Sequence, residues 1–480
     1  MAFADTDWIE LRPITLLFGK NSSGKSAIIR ALRLLRQSLT DAPGGSPFAF
    51  FVEDGVDVGD FLTMAHGDNH DRYTYSSSEL DWETGKATVG FGFRLDMSFD
   101  RLRDFLPDGA TPPYQVEFEL HYGFQKEEPQ LAFLKSLSLR LQYAWPSNED
   151  APRVIFMAER FPPHWIDEQL GKWYFDSDLL TFDTEYAEGV TPFWRVVDLE
   201  LRSGFLPSLT LPEGARGEES RLQEYEKGLL PLMQTVTDDI ARFLGSIEYV
   251  RPIRPDAQRF YMLDDAAQSK WKRQGLGAFL RLVTGQLEQQ ELSVISEWVK
   301  KLRFGVRVVP RSHFREGHRA YVTSLAIVES DKRADETNLA DMGYGVAQIL
   351  PIIAQSLLGA GESVTCIEQP ELHLHPDAQA KLADMFIEAA ERNACLLIET
   401  HSEHLVLRIQ RRARKQRISA DDVWVAYTTR KRDDGRSYVH RLRMNKDGEF
   451  LDYWPEGFFP ERSTELFDLE ETQEDADSVD

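Results

Sequence analysis

Only two cysteines occur in 480 residues, Cys366 and Cys395, and both lie inside apolar runs. That excludes a disulfide framework and makes a reducing cytoplasm the expected compartment. No apolar run reaches the roughly 20 residues that a membrane-spanning helix needs. The longest, residues 349–358, is interrupted by Pro351 and Gln355. The start Met1-Ala2-Phe3-Ala4-Asp5 has neither a basic cluster nor the apolar stretch of a leader, so no membrane contact is expected. Basic residues are outnumbered, 55 against 79 acidic, for a net charge of −24. A surface that coats nucleic acid throughout is thereby excluded, because phosphate neutralisation drives such binding. Residues 465–480 hold much of the excess acid without one basic residue and read as a solvated tail. No internal repeat is evident, and no heptad pattern is sustained long enough for a coiled coil.

What is present suffices for a large packed core, with 42% hydrophobic and 11% aromatic residues in two or three domain-sized units. Residues 8–11 read as a short strand, Pro13 as a turn and residues 14–18 as a buried strand. A glycine-rich loop follows. Ile28, Ile29, Leu32, Leu35 and Leu39 then form a helical stripe. From residue 71 to 141 the pattern alternates, as in Thr88-Val-Gly-Phe-Gly-Phe-Arg-Leu95, which predicts antiparallel strands. Residues 145–246 carry little periodicity and read as an inserted mixed subdomain. Helices are expected over 222–244 and 276–302, and a hairpin pairs 304–309 with 321–328.

Four segments carry chemistry. Gly19-Lys20-Asn21-Ser22-Ser23-Gly24-Lys25-Ser26 matches G-x-x-x-x-G-K-S between a strand and a helix. In such a loop, backbone N–H groups surround phosphates, the lysine meets the β and γ phosphates, and the serine oxygen reaches Mg²⁺. Val364-Thr-Cys-Ile-Glu368 is an apolar strand ending in an acid that can hold Mg²⁺ through its water shell. Gln369 and Glu371 follow it. Ala394-Cys-Leu-Leu-Ile-Glu-Thr-His401-Ser is a second such strand, whose histidine can bond a γ-phosphate or the attacking water. Residues 338–348, with Gly343 and Gly345, run into a helix expected over 349–358 and suit either a phosphate contact or a simple turn with a cap. Arg408, Arg411, Arg412 and Lys415 recur at helical spacing, with Arg414, Arg417 and Arg430–Arg432 nearby. They read as a solvated basic face, or as a local patch for nucleic acid.

The order of these motifs resembles the ATP-binding-cassette (ABC) branch of P-loop ATPases, which includes SMC heads and overcoming-lysogenization-defect (OLD) ATPases. Leu17-Phe-Gly-Lys-Asn-Ser-Ser-Gly-Lys-Ser26, Ile367-Glu-Gln-Pro-Glu-Leu-His-Leu-His-Pro376, Glu399-Thr-His-Ser-Glu-His404 and Trp454-Pro-Glu-Gly-Phe-Phe459 are similar to a bacterial OLD-like AAA subgroup. The resemblance implies an α/β fold, with an ABC-type P-loop ATPase core, an antiparallel β arm and an inserted mixed α/β subdomain. The expected divisions are 1–144 (core and arm), 145–300 (insertion), 301–445 (core) and 446–480 (C-terminal motif and tail). ATP and Mg²⁺ are the implied cofactors. Residues 19–26 bind the nucleotide, Ser26 and Glu368 hold the metal, and Gln369, Glu371 and His401 serve hydrolysis. Gly343 and Gly345 of one head touch ATP held by the other, giving a head-to-head homodimer or a higher oligomer.

The sequence departs from the resemblance at three points. Gln369 stands where a second acid is usual, and glutamine cannot be a general base although it can orient water. The signature lacks its usual serine, and no glutamine loop is found, residues 56–69 being the only candidate segment. A slow ATPase is therefore expected, one that regulates a separate effector in defence against phage or plasmids. The alternatives are an SMC-like repair ATPase acting on DNA and, from another class, a transporter subunit. An autonomous nuclease lacks support, since no metal-binding acid cluster follows the core.

Overall fold

The computed structural model describes residues 6–43, 46–53, 55–58, 89–103, 111–125, 128–144, 153–160, 173–176, 198–210, 228–312, 321–330, 333–359, 363–431 and 435–455. The tail from 465 and the last four residues of the Trp454–Phe459 motif lie outside them. So do residues 59–69 of the glutamine-loop segment and more than half of residues 145–246. The chain divides into two compact units, residues 30–245 and residues 2–29 with 246–480.

The chain opens with strand β1 (Ile14–Gly19), which turns through residues 20–24 into helix α1 (Lys25–Asp41). In the 30–245 unit, β2 (Val89–Asp96), β3 (Thr111–Gln125), β4 (Glu128–Ala144), β5 (Arg153–Arg160) and β6 (Trp173–Asp176) form one antiparallel sheet in chain order. Alternation places Val116, Phe118, Leu120 and Tyr122 on one buried face of β3, as a period of two requires. A hairpin of β7 (Asp198–Ser203) and β8 (Leu206–Thr210) and helix α2 (Leu229–Gly245) complete the unit. Phe48 stands edge-on to Tyr122 at 4.8 Å and stacked on Phe205 at 6.3 Å. The Tyr122 hydroxyl donates to the Phe205 carbonyl, which satisfies a buried polar group. Gln37 is spent inside this unit, its amide on Ala49 and Val56.

The second unit continues with β9 (Glu248–Val250), β10 (Tyr261–Leu263), α3 (Asp265–Arg273), α4 (Gly277–Val283) and α5 (Gln289–Lys301). Then come β11 (Arg307–Ser312), β12 (Tyr321–Ser330), β13 (Arg333–Asn338), α6 (Tyr344–Leu358), β14 (Val364–Glu368) and α7 (Pro376–Glu391). It ends with β15 (Cys395–Glu399), α8 (Glu403–Arg414), β16 (Val423–Arg430) and β17 (Ser437–Leu442). Its main sheet has six strands in the order β17-β16-β1-β15-β14-β9, parallel except for β17 at the edge. Every residue of β1 and β14 is buried. Such continuous runs mark strands covered on both faces, and each fully buried leucine or isoleucine contributes about 1.5–3 kcal/mol. Trp454 packs edge-on against Phe18 and Tyr427, so the described start of the C-terminal motif belongs to this core.

Two expected elements differ. Residues 8–11 form no strand, because β15 and β16 already occupy both edges of β1. The segment 276–302 is two helices rather than one. Gly285 at φ +70° breaks it, and a capping box between Glu288 and Glu291 restarts it. The expected hairpin is β11 with β12. No helix among the described residues is long and apolar enough to cross a membrane.

Candidate nucleotide site

Parallel pairing aligns the ends of three neighbouring strands. Glu399 lies beside Leu17 of β1 on one side and beside Glu368 of β14 on the other. Gly19, at the end of β1, has φ +144°, and an added Cβ would lie 2.4 Å from the Thr428 carbonyl oxygen. Only glycine fits there. The loop is pinned by Ser23, whose hydroxyl is 2.5 Å from that of Thr428. Lys20, Asn21 and Ser22 are exposed, whereas Ser23 and Lys25 are buried and Gly24 and Ser26 are half-buried.

Lys25 Nζ donates to the carbonyls of Gly19 (2.9 Å) and Lys20 (2.7 Å), curling over the loop. Burial pushes its pKa below the ordinary lysine value, while Glu399 and then Glu371 pull it back up. Two of its three N–H donors are used, which leaves one for an anion. Ser26 Oγ donates to Glu399 Oε1 at 2.9 Å. Glu399 is 3% exposed, and its Oε2 is buried with no hydrogen-bond partner. Its pKa is raised, first by burial and next by Glu368. Glu368 accepts from the Tyr249 hydroxyl at 3.0 Å.

Glu371 reaches across to the end of β15. It accepts from Thr400 Oγ1 (2.9 Å) and from the His401 backbone N–H (2.6 Å), so both carboxylate oxygens are occupied. Burial raises its pKa as well. The His401 imidazole is half-buried and has a pKa near 4, lowered by burial and then by Lys25; it is neutral at physiological pH. Gln369 adopts φ +46° and donates its N–H to the Glu399 carbonyl at 2.7 Å.

The fold thus gathers Lys25, Ser26, Glu368, Gln369, Glu371 and His401 at one end of the sheet. Gly343 and Gly345 lie at the start of α6, Gly345 against the later part of the turn after β14. A Cβ on Gly345 would meet the His373 carbonyl oxygen at 2.9 Å, and Tyr344 stands edge-on to His373 at 4.8 Å. Gly343 faces open space.

Among the described residues no three acidic, histidine or cysteine side chains converge as a ready cation cage. The donors at hand are a serine hydroxyl and carboxylates, one of them with an orphaned buried oxygen. That hard-oxygen set fits Mg²⁺, which takes few protein ligands and completes its shell with phosphates and water. Sequence reading missed Glu399, although it ends its strand as Glu368 does. It also missed Tyr249, Arg254 and Thr428, for which only three-dimensional adjacency provides a signal. Of the basic run, Arg412 forks onto Asp384 at 2.5 and 2.8 Å and Arg408 approaches the same carboxylate at 3.8 Å. The face is therefore partly neutralised.

Residues 14–85 and 236–408, just over half of the chain, match the AAA_21 family, described as "AAA domain, putative AbiEii toxin, Type IV TA system". The chain belongs to this AAA family. The AAA chain also aligns with the SMC head domain from Thermotoga maritima at 10% identity and a TM-score of 0.33, covering 92% of this chain and 95% of that one. A Smc head domain with an extended coiled coil, bound to the C-terminal domain of ScpA and derived from Pyrococcus furiosus, aligns at 11% identity and a TM-score of 0.30. It covers 91% and 92% of the two chains. No curated protein matches the AAA chain significantly. It is a P-loop ATPase of mixed α/β fold.

Proposed function

We propose that this AAA protein binds Mg·ATP at residues 19–26, hydrolyses it slowly and uses the bound state to regulate a separate effector. The observation that carries the reading is the bond of Ser26 to Glu399 beside the buried Lys25, at strand ends that also present Gln369. Lys25 meets the β and γ phosphates, and Ser26 and Glu368, helped by Glu399, hold the cation. A bound cation neutralises the developing phosphate charge. Gln369 orients the attacking water, His401 donates to the γ-phosphate or bonds the attacking water, and Glu371 keeps the His401 segment in place.

Closure is head to head, Gly343 and Gly345 of one copy touching the nucleotide of the other. The exposure of Tyr344, 47%, supports a face that a second copy covers. Because ATP shifts a two-state equilibrium only through its differential affinity for the closed form, a reader of that form is required. The family's description, which names a type IV toxin–antitoxin system, supports a two-component setting. Bacterial defence within the cytoplasm is the proposed context. Direct action on DNA is the weaker reading, since Arg412 is committed to Asp384.

The test is purification from the native host with and without ATP, together with calorimetry and phosphate release. Mg·ATP binding, slow turnover and a co-purifying protein are expected. A chain that comes out alone in both conditions and acts as a nuclease by itself overturns the regulator reading.

A further inference from the structure

Arg254 is 1% exposed, although it lies in a short connection after β9. Its Nη2 donates to the Glu368 carbonyl at 2.9 Å and to the Gln369 carbonyl at 3.0 Å. One guanidinium nitrogen therefore grips two consecutive peptide oxygens at the end of β14. Its backbone is gripped in turn by Gln348 of α6, itself 1% exposed. The Arg254 N–H donates to Gln348 Oε1 at 3.1 Å, and Gln348 Nε2 donates to the Arg254 carbonyl at 3.3 Å. Gln348 sits one turn into the helix that begins after Gly343.

This arrangement is costly. Arg254 Nε and Nη1 are buried with no hydrogen-bond partner, and burial brings the guanidinium pKa down to about 10. Orphaned buried donors on a charged group are among the most unfavourable features a core can hold. A methionine or leucine would fill the space without that cost, so packing alone does not account for arginine here. What arginine supplies is the double grip on residues 368 and 369. Gln369 needs it, because φ +46° is a sparsely populated region for a side chain of its size. With the bond from the Gln369 N–H to the Glu399 carbonyl, the grip holds the Gln369 backbone from both sides.

We propose that Arg254 is a positioning residue for ATP hydrolysis, fixing Gln369 in its strained backbone conformation and tying that geometry, through Gln348, to the position of α6. The inference rests on the ATPase reading above and adds a group that touches neither nucleotide nor water. Positioning errors near 1 Å can cost about a hundredfold in rate without comparable loss of binding.

The experiment compares the full chain with R254K, which keeps the charge but whose shorter side chain draws the donor back from the two carbonyls, and with Q348L, which leaves the guanidinium but frees its backbone. Single-turnover phosphate release should fall about ten- to a hundredfold in R254K, with calorimetric affinity for Mg·ATP within about threefold of the unsubstituted protein. In a Q369A background, R254K should reduce the residual rate no further, because the two residues act through one geometry. An unchanged rate in folded R254K, or losses from R254K and Q369A that simply multiply, overturns the inference. If R254K does not fold, Q348L carries the test: a lower rate at unchanged affinity supports the inference and an unchanged rate overturns it. An unsubstituted protein that binds no ATP overturns the nucleotide-site reading and this inference together. Normal ATP turnover with an indifferent R254K overturns this inference alone.

Discussion

Ser26 and Glu399, 373 positions apart in the chain, share a hydrogen bond of 2.9 Å at the head of the parallel sheet. The strand that carries Glu399 lies between the phosphate-loop strand and the strand ending in Glu368. The residue closing the loop is therefore held by the middle strand, with Glu368 one strand further out. A hydroxyl whose proton is taken by a carboxylate turns its lone pairs toward a cation.

Replacing Glu399 by glutamine follows directly. The raised carboxyl pKa means that the folded state holds the proton more tightly than the unfolded chain, whose ordinary value is 4.5. The associated stability is present below that value and lost as pH rises through the raised one. In metal-free protein, E399Q should flatten this loss and raise Tm near neutral pH by about 2 °C. It should also weaken the stabilisation by Mg·ATP. Thermal unfolding across pH, with and without Mg·ATP, measures both effects. An unchanged pH profile would remove Glu399 from the account.

Lys25→Ala removes the cation proposed to meet the phosphates and the two bonds that curl the side chain over Gly19 and Lys20. Loss of a charge-assisted contact of this kind weakens ATP binding by roughly a hundredfold, enough to abolish productive binding at ordinary concentrations. Calorimetry that finds undiminished affinity would sink the phosphate-loop assignment.

The two candidates after β14 separate by substitution. Turnover of the natural protein should lie below about 10 per second, the median for enzymes. Gln369→Glu should accelerate it by supplying a base. Glu371→Gln should slow it, because an amide has one acceptor oxygen for the Thr400 hydroxyl and the His401 N–H, both of which the carboxylate accepts. A steady-state phosphate assay decides. If neither change alters the rate, both role assignments fail.

At the start of α6 the glycines should behave differently. Gly345→Asp places its Cβ against the His373 carbonyl and a charge where a partner's phosphate is expected, so ATP-driven closure should be lost. Gly343→Ala meets open space and should fold normally. Small-angle scattering with ATP reads closure directly. A folded G345D that still closes would take the pair out of the site.

The sequence by itself determined the elements whose information is local. Residues 19–26 declared a phosphate loop because glycines, lysine and serine at that spacing have few other uses. The unbroken apolar runs before Glu368 and Glu399 declared buried strands, and alternation declared the β3 arm. The pairing of β11 with β12 followed from the same periodicity. Tertiary structure alone decided which strand lies next to which, and that choice made Glu399 rather than Glu368 the partner of Ser26. It also decided that residues 8–11 join no sheet, and that Arg412 spends its charge on Asp384. Arg254 carried no local signal. Its meaning comes from two carbonyls more than a hundred residues away and from a helix that the chain reaches only later. Periodicity reports which face of an element is dry, whereas adjacency between distant elements depends on how every dry face is covered at once.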